Sequence, residues 1–174
     1  MRLLVLSDLH SEVWHDANAT AKAGLETIQP DLRVSQPDII VLAGDIEVGV
    51  RAVACSHEAF SGLPVIYVPG SHEGYGHNLD SLKRELGAAC VATGHIHYLE
   101  RRELILEGVR FLGATLWTDC RHLGSDHYQA SMAEASTRLS DYRRIRLAKG
   151  GYRRIRPMDT VQWHSKIDGG LSKD

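Results

Sequence analysis

Apolar residues run unbroken at three places in the first half of the chain. The runs are Leu3 to Leu6, "DIIVLAG" (38–44) and "VIYVPG" (65–70). Short continuous apolar runs bounded by turn residues predict strands buried on both faces. The intervals between them read as helices. Ala17 to Ile28 is Ala-rich with Leu25 and Ile28 suitably spaced, Pro37 closes that tract, and Val50 to Phe60 follows the second strand. Pro64 introduces the third strand. Asn78 is an N-cap for "LDSLKRELG", which Gly87 is expected to end. This alternation predicts parallel strands joined by right-handed crossovers.

After residue 96 the pattern changes. "HYLE" (97–100), "ELILEG" (103–108) and "VRFLGATLW" (109–117) are short strands with a Glu107-Gly108 turn, which predicts antiparallel hairpins. Asp126 to Asp141 reads as a helix with a largely polar surface. "YRRIR" occurs at 142–146 and again at 152–156, and two strands around the Gly150-Gly151 turn explain the repeat. "RPMDTVQWH" predicts a helix start near Asp159, and the tail "DGGLSKD" is polar.

The chain has 174 residues, enough for one domain over 1–174 with a sizeable core. A formal net charge of −2 implies no general attraction to nucleic acid or membrane. The segment from Arg143 to Arg156 holds six Arg and one Lys without an acid, but few aromatics interleave it, so a solvated hairpin is preferred to a nucleic-acid site. Cys55, Cys90 and Cys120 are odd in number and far apart, which fits a reduced, cytoplasmic compartment. The apolar start is too short for a signal peptide, and no stretch reaches membrane-spanning length.

Chemistry concentrates where the three buried strands end. The first ends in Asp8 and His10, the second in Gly44-Asp45, the third in Gly70-Ser71-His72-Glu73. Parallel strands place all these ends along one edge, where open α/β sheets bind their ligands. Two carboxylates and two imidazoles therefore meet on one rim. Mixed oxygen and imidazole donors suit Mn, Fe or Zn, and a shared carboxylate can clamp two cations for phosphoryl transfer. Gly44 and Gly70 permit tight turns beside the site. Glu73 reads as a brace for its loop. No glycine-rich turn follows the first strand, so a dinucleotide cradle is excluded there.

"SDLH" (7–10), "GDI" (44–46) and "GSHE" (70–73) resemble, in order and spacing, the motifs of the calcineurin-like metallophosphoesterases. "GVRFLGATLWTD", "DYRRIR" and "RPMDT" extend the likeness to a bacterial branch, from Arg2 to about His164. The resemblance implies an αββα sandwich and a metal-dependent phosphoesterase that uses a metal-bound hydroxide on phosphomono- or phosphodiesters. It makes Asp8 and His10 ligands of a first metal, Asp45 the bridge, Ser71 the occupant of a second-metal position, and His72 the catalytic imidazole that contacts the phosphate. Ser71 departs from the family's Asn and is a poorer donor. The family's later histidine ligands, which should follow "RPMDT", have no counterpart, so the sandwich is expected to be incomplete in its C-terminal half. One bound ion, self-association through an uncovered face, or a degenerate non-catalytic metal binder are the corresponding expectations. "GHIH" (94–97) spells the missing motif but is read as coincidence from its position.

Overall fold

The computed structural model describes residues 1–15, 30–148 and 152–168. Four parallel strands form the central sheet in the order β1 (Leu3–Leu6), β2 (Ile39–Ala43), β3 (Val65–Val68) and β4 (Ile96–Tyr98). Their register sets Val5 against Val41, Leu42 against Tyr67, and Tyr67 against Tyr98. The connections include α1 (Ser11–His15), α2 (Leu32–Ser35), α3 (Arg51–Ala59) and α4 (Leu79–Thr93). The helix expected over 17–28 lies outside the described residues.

The alternation of each strand assigns its two faces. Ile40, Leu42, Val65, Tyr67 and Ile96 pack with Ala52 and Val53 of α3 and Leu82, Leu86 and Cys90 of α4. Ile39, Ile66 and Leu99 point the other way, against Leu104, Leu106 and Phe111. Those last side chains belong to an antiparallel hairpin, β5 (Arg102–Leu106) and β6 (Val109–Gly113). Helices on one face and a hairpin on the other make a layered, mixed α/β fold, as the alternation of runs predicts.

β1 is not buried on both faces as expected: Leu3 and Val5 are exposed, because the hairpin packs over the strands beyond it. Three further elements differ from expectation. "HYLE" is not a hairpin strand: Ile96–Tyr98 extends the parallel sheet beside β3, because α4 is long enough to carry the chain back across it. Gly87 does not end α4. The helix runs on to Thr93 and stops at Gly94 in the left-handed conformation (φ 76°), while Gly87 faces the Tyr98 ring at close range. Asn78 does cap the start, accepting from the backbone N–H groups of Asp80 and Ser81. The predicted helix over 126–141 is shorter. It is α5 (Tyr128–Arg138), broken by extended Leu139, with α6 (Asp141–Arg144) starting afresh.

The first "YRRIR" copy is therefore partly helical, and the two copies meet through β7 (Arg146–Leu147) and β8 (Arg153–Arg154) and through the Ile155 N–H, which donates to the Ile145 carbonyl at 3.1 Å. Their arginines are engaged locally: Arg153 pairs with Asp159 at 2.7 Å, and the Arg144 guanidinium lies 4.4 Å from the Tyr75 ring centroid. The final helix, α7 (Pro157–Asp168), starts at proline, whose fixed φ suits a first helical position. A second cluster of Tyr75, Leu79, Trp117, Tyr142, Ile145 and Ile155 joins this C-terminal region to the third strand-end loop. No helix among the described residues is long and apolar enough to cross a membrane.

Gly113 is where the hairpin and sheet approach most closely: a Cβ there would overlap Leu99 Cβ and Val68 Cγ2. Gly113→Ala should cost about 1–3 kcal/mol, the usual range for overpacking, read as a lowered urea midpoint with an unchanged slope.

Candidate metal and phosphate site

Beyond their last paired residues the first two strands stay joined through their loops. The Asp8 N–H donates to the Gly44 carbonyl (3.0 Å), His10 N–H to the Asp45 carbonyl (3.1 Å) and Ser11 N–H to the Ile46 carbonyl (2.9 Å). This extension forces unusual backbone. Asp8, His10 and Asp45 all have positive φ, at 55°, 45° and 57°. Asp and His tolerate that region better than most residues, yet each such placement costs on the order of 1–3 kcal/mol and persists only where the surroundings impose it. The strain turns alternate residues of the first loop toward the second, and Asp8, His10 and Asp45 offer donor atoms that all lie within 4.8 Å of one another.

Glu73 supplies the imposing structure. It is 1% exposed and receives hydrogen bonds from the backbone of Asp45 (3.2 Å), Ile46 (3.1 Å) and Gly70 (2.9 Å), and from the Tyr67 hydroxyl (3.0 Å). Burial pushes its carboxyl above the usual range, while the donors around it pull the other way. One side chain thus ties the second loop to the third, as the brace reading anticipated. Gly70 is needed for the same contact, since a Cβ there would collide with Asp45 Oδ1. That oxygen accepts the His72 N–H at 2.8 Å.

The third loop brings His72 against the first. His72 Nδ1 lies 3.1 Å from His10 Nδ1, with the rings edge to face. Ser71 sits elsewhere: its hydroxyl donates to Asp141 Oδ1 at 3.2 Å, which also accepts the Tyr75 hydroxyl at 2.7 Å. Asp8, Asp45, Ser71 and Asp141 line one cleft of about 570 Å³, with the exposed Leu116 and the buried Trp117 on its far wall. His95 and His97 do not approach it. They lie where β4 begins, at the opposite end of the parallel strands, and His95 Nδ1 contacts the Thr93 carbonyl.

Two acids in this region escaped the sequence reading. Asp141 lies some seventy residues from the motif it meets, and nothing local marks it. Glu12 left a signal: "DLHSE" carries polar, ligand-type side chains at 8, 10 and 12. Its Oε1 lies 2.7 Å from His72 Nδ1 and 3.6 Å from His10 Nδ1.

Strand-end loops of a parallel sheet that gather carboxylates and imidazoles beside an open cleft offer donor groups that could hold a divalent cation. The chain belongs to the calcineurin-like phosphoesterase family, whose model matches residues 1–167 of the 174. A comparison with curated proteins found no match. Membership brings metal-dependent phosphoester hydrolysis and divalent metal binding as the family's general chemistry.

The four-donor arrangement at Glu73 leaves no place for an amide nitrogen. Glu73→Gln would turn an N–H₂ toward backbone N–H groups, and should lower stability by about 1–3 kcal/mol in chemical denaturation. Tyr67→Phe, which removes one donor and leaves the others in place, should cost less.

Proposed function

We propose that this protein hydrolyses phosphomonoesters or phosphodiesters with a divalent cation held by Asp8, His10 and Asp45. The observation that carries the reading is the convergence of those three donors within 4.8 Å of one another, Asp8 and Asp45 also lining the cleft. Two carboxylates and an imidazole suit Mn, Fe or Zn. When bound, such a cation supplies Lewis acidity and lowers the pKa of its water.

The chain's own residues do the rest. Asp45 presents its carboxylate in one orientation, because Oδ1 is held by the His72 N–H and its backbone by Glu73. His72 contacts the phosphoryl group and assists departure of the leaving oxygen with a proton. Ser71 Oγ, whose hydroxyl donates a hydrogen bond to Asp141, keeps lone pairs for a cation on that side of the cleft. The three free cysteines support a reduced, cytoplasmic setting.

One observation favours a second reading, a family member that binds metal weakly and turns nothing over. Ser71 is committed to Asp141 where the family resemblance leads to an amide oxygen. Turnover of p-nitrophenyl phosphate and bis(p-nitrophenyl) phosphate with saturating Mn²⁺ separates the two. Metal-stimulated hydrolysis that Asp45→Asn abolishes and His72→Ala lowers by about 10²–10⁴-fold in kcat supports the enzyme. No turnover of either ester leaves the second reading.

Self-association belongs to the same proposal. β1 is the edge of the parallel sheet, and on its hairpin-side face Leu3 is 43% and Val5 59% exposed. An edge left unpaired among the described residues and flanked by exposed apolar side chains suits pairing with a second copy. Light scattering should give a mass above the monomer's 19.3 kDa, and Val5→Lys should restore the monomer.

A further inference from the structure

The corner formed by His10, Glu12 and His72 has no part in the reading above beyond the two imidazoles themselves. Three electron-pair donors meet there: His10 Nδ1 and His72 Nδ1 are 3.1 Å apart, and Glu12 Oε1 approaches them to 3.6 Å and 2.7 Å. Neither oxygen of the Glu12 carboxylate is accessible to solvent, and neither has a hydrogen bond among the described residues. The short approach to His72 is not aligned as one. A desolvated carboxylate left this way is expensive unless something positive lies between it and its neighbours.

An ion pair with His72 alone does not complete the corner. It would engage Oε1, leave Oε2 without a partner, and set two Nδ1 atoms face to face over a single proton. One cation among the three satisfies every group at once. We propose that His10, Glu12 and His72 form a divalent-cation site of the two-histidine, one-carboxylate type. It lies beside the Asp8–His10–Asp45 cluster and takes that first cluster's reading as given; with both sites filled, His10 gives up its ring proton to solvent and serves one cation with each nitrogen. Two imidazoles and a carboxylate are a donor set for Zn²⁺ or Fe²⁺, with coordination positions left open. His72 then binds through Nδ1 and keeps Nε2 for the phosphoryl group. The site supplies a second positive charge that does not depend on Ser71.

The test is calorimetric titration of the metal-free full chain with Zn²⁺, with circular dichroism to confirm folding of each variant. Wild type is expected to bind two equivalents. Glu12→Gln should weaken one step by more than the 10–100-fold that follows loss of an outer partner, and leave the other in place. His72→Ala should affect that same step. Asp45→Asn should instead weaken the other step, so the two sites fail or stand separately. A Glu12→Gln isotherm identical to wild type, or a wild-type stoichiometry of one, overturns the second site. The wild-type protein gives a check that needs no substitution: the ¹⁵N signal of His72 Nδ1 should move on Zn²⁺ addition. A stationary signal overturns the proposal equally.

Discussion

A single buried carboxylate holds together the loops on which everything else rests. Glu73 gathers backbone N–H groups from the loop after β2 and the loop after β3, and the Tyr67 hydroxyl from β3 itself. Taking a charge out of water is costly, and four donors offset that cost by fixing two loops in one arrangement. The close packing of Gly70 against Asp45 follows from the same contact. Without it the second and third strand ends would be joined by fewer bonds, chiefly the His72 N–H to Asp45 Oδ1 and the Gly49 N–H to the Glu73 carbonyl.

The first loop is held differently, by main-chain bonds that continue the β1–β2 pairing past the strands. That continuation leads Asp8, His10 and Asp45 through left-handed backbone. Strain of this kind accumulates where the surrounding structure over-determines the chain, and here it brings three ligand-type side chains to one place. The rigid side of the site is thus paid for by the sheet beneath it, whose central strands are largely buried.

The two faces of the sheet serve different ends. Helices α3 and α4 cover one face with a continuous apolar core, which keeps the strands parallel and their ends aligned. The hairpin covers the other face from β2 to β4 but leaves β1 largely bare, and the cleft opens alongside it. The C-terminal elements reach the site through Tyr142 and Asp141, and Asp141 accepts from Ser71 and Tyr75 of the third loop, so a region remote in sequence completes one wall.

The amino-acid order alone determined the parallel core, because unbroken apolar runs ending in Asp8-Leu9-His10, Gly44-Asp45 and Gly70-Ser71-His72-Glu73 can be buried in few other ways. It also determined the family, since three motifs keep their spacing and strand context. It misplaced "HYLE" and the end of α4, where a short strand and an internal glycine look alike in either setting and only packing against Tyr67 and Tyr98 decides. Tertiary structure alone decided that Ser71 faces Asp141, that Glu12 joins His10 and His72, and that "GHIH" lies at the far end of the strands. Motif spacing records which side chains leave a loop. Their neighbours depend on how separate loops are drawn together, which is a matter of long-range hydrogen bonds and close packing that no local pattern encodes.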